Sequence, residues 1–163
     1  MRVLGIDPGL SKCGWAILEE SLSKNYNLLS YGEITTEPQN KFCISERLKK
    51  IFLELKKIIK KYKPEIVCIE SQFYSKISKN MINTYFATSI IYLVCSLYNI
   101  KLKEFSAKTV KMAVSGYGSA SKFQVKKMVE ILLPDVPRIN SEHINDAIAV
   151  ALCFFNTNRE LYV

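Results

Sequence analysis

The chain has 163 residues, 48% of them hydrophobic, which is enough to bury the core of one domain without disulfides or structural metals. Its 23 Lys and Arg against 15 Asp and Glu leave a net charge of +8, so we expect a polyanionic partner, either nucleic acid or an anionic membrane surface. The longest apolar run, residues 90–97, is too short to span a bilayer, and Asp7 interrupts any N-terminal leader, so the sequence predicts a cytoplasmic protein that is neither secreted nor inserted in a membrane.

The first third of the chain predicts an antiparallel meander. Pro8-Gly9 and the polar residues 21–25 are typical of turns, and they separate runs of β-forming residues. The runs predict three strands, at about residues 1–7, 13–20 and 27–35.

The rest of the chain predicts alternating helices and strands. After a loop at 37–40, apolar side chains recur every three or four residues over 48–62, with Lys and Glu between them, which indicates an amphipathic helix. Further predicted elements are a buried strand at 65–70, a long helix at 78–98, a strand at 100–105, and helices capped by Ser106, by Ser119 or Ser121, and by Ser141. With no repeat or linker in the sequence, we expect a single domain over residues 1–163, of the α/β class, with a mixed five-stranded sheet flanked by helices.

The cysteines carry no sign of a zinc or redox site. They are odd in number, widely spaced and without a C-x-x-C pair, so we expect reduced core residues at positions Cys13, Cys43, Cys68, Cys95 and Cys153.

Two acidic residues end predicted strands. Asp7 ends the first strand and Glu70 ends the fourth. If these strands are neighbours, the two carboxylates stand side by side at the edge of the sheet where α/β folds place active sites. Taken alone, each acid could equally cap a turn or lie at the surface.

A third group of candidate ligands lies at the start of the last predicted helix. Glu142 and His143 are four and three residues before Asp146, so both lie on roughly its face of the helix. Clustered carboxylates repel one another unless cations neutralise them, and oxygen ligands suit Mg²⁺ or Mn²⁺. Two such ions about 3.5–4 Å apart can activate a water and stabilise a leaving 3′-oxygen, so the acids together suggest metal-dependent phosphodiester hydrolysis. The alternative is that the helix acids only interact with the helix dipole.

Five motifs, in a fixed order along the chain, support the interpretation as a metal-dependent nuclease. The chain resembles the RuvC-like Holliday junction resolvases of the RNase H-like superfamily, and the residues that carry the resemblance are 5–9 with Gly14, 69–73 with Lys76, 107–111, 116–122 with 124–125, and 143–149. The resemblance implies an RNase H-like fold and an endonuclease that makes paired, symmetric nicks in four-way DNA. It also implies Mg²⁺ as cofactor, with Mn²⁺ able to substitute.

The resemblance implies a set of metal ligands. The four ligand positions of the family fall on Asp7, Glu70, position 143 and Asp146. Many members have Asp where this chain has His143, so Glu142 remains an alternative third ligand. A neutral His143 could ligate a metal or orient water, and a protonated one could assist the leaving group.

The resemblance also implies contacts with DNA. Lys111 and Lys122 match basic residues near the scissile phosphate, where Lys122 would also act in catalysis. Phe73 and Tyr74 match the segment that probes the crossover, and Lys76 lies beside them. Without the resemblance, the lysines would be interpreted as solvated and the rings as core anchors.

Members of this family act as homodimers, because a four-way junction has two-fold symmetry and needs two nicks. The long helix offers a surface for such a contact, through Ile77, Met81, Tyr85, Thr88, Ile91 and Tyr92, unless these residues only pack in the core. A composition rich in Ile, Lys, Asn and Tyr suggests an AT-rich genome, so a poxvirus resolvase, acting on viral concatemers in the host cytoplasm, fits as well as a bacterial one. Only a bacterial enzyme would be coupled to a branch-migration motor.

Other functions remain open from the sequence. A ribonuclease H or a flap or branch endonuclease would share the acids but lack the Phe73 segment and the two matched lysines. A sugar-kinase or actin-like ATPase also begins with a strand, an Asp and a Gly, but it needs a longer, two-domain chain with a second phosphate loop. A non-catalytic DNA-binding module would not need acids at every ligand position.

Overall fold

A computed structural model describes residues 1–21, 25–36, 43–71 and 79–158 of the chain. These residues form a mixed sheet of five strands, β1 (Arg2–Asp7), β2 (Lys12–Glu20), β3 (Tyr26–Thr35), β4 (Ile66–Glu70) and β5 (Lys101–Phe105). They also form five helices, α1 (Ile44–Tyr62), α2 (Lys79–Leu97), α3 (Ala107–Ser115), α4 (Lys122–Leu132) and α5 (Glu142–Asn158). The predicted α/β class, element types and element order are confirmed; the predicted loop at 37–40 and the centre of the predicted turn at 21–25 lie outside the described residues.

The strand order β3-β2-β1-β4-β5 places β1 at the centre of the sheet. β1 runs antiparallel to β2 and parallel to β4, with Ile6 opposite Ile69. Asp7 and Glu70 are the next residues along these two parallel strands, so they leave the sheet at the same edge. The prediction that the first and fourth strands are neighbours is therefore confirmed.

Helices cover both faces of the sheet. Alternate residues of β1 point to opposite sides, so that Leu4 and Ile6 pack with α1 and α2 while Val3 packs with α3, α4 and α5. α5 lies directly against β1 and β2 and is buried along most of its length. The site residues at the start of α5 are thus attached to the most buried helix of the described chain.

Serine side chains start the last three helices. The Ser106 side chain accepts a hydrogen bond from the Thr109 amide, and Ser121 forms a reciprocal capping box with Gln124. Ser141 Oγ accepts from the Ile144 amide at 3.2 Å. The predicted caps are confirmed, and of the two candidates for α4 it is Ser121 that caps the helix.

One cysteine differs from the prediction. Cys13, Cys68, Cys95 and Cys153 are buried and free, as expected. Cys43 is exposed, so its assignment to the core is wrong. It is the N-cap residue of α1 and precedes the stripe of apolar residues that this helix packs against the sheet.

The apolar residues of α2 face both the sheet and the surface. Of the residues predicted for an exposed contact surface, Tyr92 is exposed as expected, Ile91 is buried in the core, so its prediction is wrong, and Ile77 lies outside the described residues. Four further exposed apolar residues lie along one side of α2, and we call them the α2 stripe: Ile82, Phe86, Leu93 and Leu97. No helix in the described ranges has the length and apolar content needed to cross a bilayer.

Candidate active site

A cleft of about 450 Å³ opens where β1 and β4 end. It is lined by all but one of the predicted acidic and basic site residues that the structure describes. We call it the acidic cleft, and the charged and polar side chains that define it are Asp7, Glu70, Thr84, Lys111, Lys122, His143 and Asp146. Residues from all five sequence motifs, on strands and helices far apart in the chain, therefore meet at one place.

Asp7 and His143 form a hydrogen-bonded pair in the acidic cleft. His143 Nδ1 lies 2.7 Å from Asp7 Oδ2, and an ionised Asp7 accepts this bond from the Nδ1 hydrogen. That arrangement leaves the lone pair of Nε2 available to a ligand. Gly14 permits the approach of α5, because a Cβ on Gly14 would lie 2.2 Å from the carbonyl oxygen of His143.

Lys122 joins α4 to the start of α5. Its Nζ lies 3.3 Å from Asp146 Oδ2 and 3.6 Å from Glu142 Oε2. The negative charge of Asp146 is the main reason why the pKa of Lys122 is raised, so the ammonium stays protonated. The side chain of Glu142 is 76% exposed and does not line the acidic cleft, whereas His143 does.

Negative charge in the acidic cleft is only partly compensated. Burial raises the pKa of Asp7, and the charge of Asp146 adds to this increase, although the hydrogen bond from His143 opposes it. Burial likewise raises the pKa of Glu70, with further contributions from Asp146 and Asp7. Both shifts follow from carboxylates that are desolvated next to other carboxylates.

The donor atoms suit a hard divalent cation. Asp7, Glu70 and Asp146 offer carboxylate oxygens, which are the ligands that Mg²⁺ prefers, and His143 adds a ring nitrogen. A cation would offset both the burial and the repulsion that raise the pKa values of Asp7 and Glu70. Within the described ranges, no three Asp, Glu, His or Cys side chains are close enough to form a ready-made metal site. The existing Asp7–His143 and Lys122–Asp146 contacts instead hold the donors in pairs.

The predicted DNA-contacting residues divide into two groups. Lys111 and Lys122 line the acidic cleft and give its otherwise acidic wall two positive charges. Phe73, Tyr74 and Lys76 lie outside the described residues. Thr84 of α2 also lines the cleft and was not predicted from the sequence. The only signal for it is a polar residue within a largely apolar helix.

This arrangement can perform phosphate-ester chemistry. Carboxylates and an imidazole can hold cations and orient water, while two ammonium groups can bind the phosphate and offset negative charge that develops on it. A largely pre-formed cleft between sheet edge and helices is also where α/β proteins bind ligands.

Comparison with known proteins places the chain in a family of endonucleases. The model of one protein family, described as crossover junction endodeoxyribonuclease RuvC, matches residues 3–154. A relative of that name from Caldicellulosiruptor saccharolyticus is 39% identical over 155 residues, which cover 94% of this chain and 91% of the relative.

Solved structures agree with this match. T. thermophilus RuvC, solved in complex with a Holliday junction substrate, superposes with a TM-score of 0.89 at 26% identity and covers 98% of this chain and 96% of its own. The fowlpox virus resolvase, solved with junction DNA, has a TM-score of 0.58 at 13% identity over 96% of this chain and 98% of its own, and it shares the fold. The sequence is thus far more similar to the bacterial relative than to the fowlpox protein.

Proposed function

Because this chain belongs to the RuvC family of crossover junction endodeoxyribonucleases, we propose that it is a Holliday junction resolvase, which cuts four-way DNA by paired, symmetric nicks. The observation that carries the proposal is the meeting of Asp7, Glu70 and Asp146 with two lysines in one cleft. Since the similar relatives are bacterial, the compartment that we propose is the bacterial cytoplasm.

Three carboxylates and one imidazole hold the cofactor in this proposal. Asp7, Glu70 and Asp146 bind Mg²⁺, with Mn²⁺ able to replace it, and Nε2 of His143 is the fourth donor. Bound divalent ions supply a nucleophilic water and stabilisation of the leaving 3′-oxygen. His143 lines the acidic cleft, whereas Glu142 is exposed and paired with Lys122. These positions support His143, and not Glu142, as the ligand.

The lysines act on the phosphate. Lys122 holds its proton next to Asp146 and contacts the scissile phosphate, where its charge offsets the negative charge that develops during cleavage. Lys111 binds the same or the adjacent phosphate from α3. Phe73, Tyr74 and Lys76 remain predicted contacts to the crossover.

The proposal is tested with labelled synthetic four-way junctions. We expect symmetric nicks in opposing strands in the presence of Mg²⁺, no nicks when EDTA removes the ion, and none with Asp146→Asn. The Asn variant keeps the size and a hydrogen-bonding side chain but lacks the charge that binds a cation and pairs with Lys122.

Duplex, flap and RNA–DNA hybrid substrates are the controls. Cleavage of the flap or the hybrid in preference to the junction would instead make the chain a nuclease of a different specificity on the same fold. Cleavage that persists in EDTA would contradict the metal-dependent mechanism.

We further propose that the enzyme is a homodimer that uses the α2 stripe. Ile82, Phe86, Leu93 and Leu97 recur along one side of a long helix and are exposed in the single chain. An isologous contact through this stripe would set two acidic clefts in one assembly, as two nicks in a symmetric junction require.

Leu93→Glu is expected to weaken this dimer by about 100-fold or more, because each subunit would place an unpaired carboxylate in an apolar contact. Sedimentation velocity over a concentration series measures the change. Leu53→Glu is the matched control, since Leu53 on α1 is 40% exposed and Leu93 is 49% exposed. A dimer equally stable in both variants would exclude the α2 stripe as the contact.

A further inference from the structure

A smaller pocket adjoins the acidic cleft between α4 and the start of α5. Its volume is about 260 Å³, and we call it the side pocket. Its walls share Lys122 and Asp146 with the acidic cleft, and the full lining is Lys122, Phe123, Lys126, Asn140, Glu142, Asn145 and Asp146. Whatever occupies the side pocket is therefore next to the phosphate that the acidic cleft would hold.

The most unusual wall of the side pocket is an exposed aromatic ring. Phe123 directly follows Lys122 at the start of α4 and is 66% exposed. Lys127 Nζ lies 5.8 Å from the ring centroid, and Lys122 and Lys126 line the side pocket together with the ring. A phenyl ring is apolar, so its exposure to water is unfavourable, and its face is suited to stacking against a flat partner.

The side pocket has a fixed floor. Asn145 is buried, and its Nδ2 donates hydrogen bonds to the carbonyl oxygens of Ile139 at 3.1 Å and Ser141 at 2.6 Å. These bonds tie the segment before α5 to the helix itself. The pocket is thus formed by ordered backbone and needs little rearrangement to accept a ligand.

The chemistry of the walls favours a base over a phosphate. The carboxylates of Glu142 and Asp146 offset the charges of Lys122 and Lys126, so the lining offers a phosphate no net positive charge, whereas Glu142 and the amide of Asn140 can accept hydrogen bonds from the amino groups on base edges. A volume below the roughly 300–1,000 Å³ of pockets for drug-sized ligands suits a single base. Lys126, which also lines the side pocket, can contact a phosphate that flanks the base.

We propose that the side pocket is a nucleotide subsite, in which one base of the strand being cut leaves the duplex stack and lies against the ring of Phe123. This inference rests on the proposed function, because the base belongs to the junction that the acidic cleft cuts. Phe123 is a positioning residue: it fixes the nucleotide beside the scissile phosphate and thereby the point of cleavage.

The test is a double-mutant cycle that measures the coupling between the ring of Phe123 and one base of the junction. Phe123→Ala is expected to raise KM for a four-way junction by about 5- to 150-fold, the range found for stacking of one base on an aromatic side chain. Phe123→Trp should retain the wild-type KM, and Phe123→Leu should behave like Ala, because it keeps apolar bulk without an aromatic face. Ile131→Ala is the matched control: Ile131 is on the same helix and is also 66% exposed, but it lines neither pocket.

The same variants are then tested on junctions with an abasic site at each position near the cut. For the wild type, we expect one position at which loss of the base raises KM by a similar factor. At that position Phe123→Ala should cause no further increase, because the ring has no base to stack on.

The outcomes separate the inference from the proposed function. If the wild type does not nick junctions, the proposed function fails. If the wild type does so and Phe123→Ala matches Ile131→Ala, or the effects of ring and base are independent at every position, the subsite is refuted while the resolvase assignment stands.

Discussion

Glu70→Gln is expected to lower the rate of junction cleavage by at least about 100-fold while junction binding is retained, since a metal ion contributes several kcal/mol to the transition state. Glu70 leaves β4 at the sheet edge beside Asp7 and lines the acidic cleft. Gln has the same shape but lacks the charge that binds a cation. Binding should persist because lysine contacts with phosphates provide most of the affinity.

Single-turnover cleavage and gel-shift binding on the same junction separate the two effects. Glu65→Gln is the matched control, because Glu65 immediately precedes β4 at the opposite end of the strand and its side chain is exposed. It should cut and bind like the wild type. A folded Glu70→Gln variant that loses binding, or one that cuts at the wild-type rate, would overturn the role assigned to Glu70.

The same substitution should stabilise the protein at neutral pH when divalent ions are absent. The pKa of Glu70 is raised above its ordinary value of 4.5, mainly by burial, so folding favours the protonated acid and the ionised form costs stability. The wild type therefore loses stability as the pH rises through this raised pKa, and the Gln variant does not.

Thermal unfolding at a series of pH values measures this difference. We expect the Gln variant to have the higher Tm at pH 7, and the gap should close below about pH 4.5, where both side chains are neutral. Added Mg²⁺ should stabilise the wild type more than the variant, because binding to the native state raises its stability. A lower Tm for the variant at pH 7 in EDTA would contradict the cause given for the raised pKa.

Gly5→Ala should have the largest effect on stability. A Cβ on Gly5 would lie 2.0 Å from the carbonyl oxygen of Ala147 and 3.0 Å from Ala151 Cβ, so α5 would have to move away from β1. Backbone atoms of a buried helix cannot rotate aside as a side chain does. We expect a loss of about 3 kcal/mol or more in the free energy of unfolding, at the upper end for an overpacked core.

Denaturant and thermal unfolding measure the loss, which corresponds to a fall in Tm of about 6–12 °C for a chain of this size. Gly118→Ala is the matched control, because the atoms nearest to its added Cβ belong to the flexible side chain of Lys108. A Gly5→Ala variant as stable as Gly118→Ala would show that α5 is not held against β1 as closely as described.

Local sequence patterns were sufficient to predict the elements. Three- and four-residue spacing identifies α1, and runs of β-forming residues identify the strands, because each pattern reflects which side of an element is buried. Ser106 and Ser141 were identifiable as caps, since a cap bonds to an amide two or three residues away and needs no tertiary contact. Asp7 and Glu70 were predicted as partners because both end strands, and parallel strands end at the same edge.

Other features depend on contacts between distant segments. The choice between His143 and Glu142 depends on which side of α5 faces β1. Neighbouring residues on a helix point in different directions around its axis, and their spacing in the sequence does not show which of them faces the sheet. The exposed side of α2 was predicted only in part for a related reason, since Tyr92 is exposed but Ile91 is buried. Its residues are apolar all round, so only the packing of Ile91 against the sheet shows which stripe remains exposed.

The sequence by itself therefore determined the class of fold, the order of its elements and the acids that meet at one edge of the sheet, because these follow from short-range periodicity and strand direction. The tertiary structure alone decided the pairing of Asp7 with His143, the bridge from Lys122 to Asp146 and the exposed ring of Phe123 above the side pocket. Each of these depends on how side chains from separate helices and strands fill a common space, and no local pattern records that arrangement.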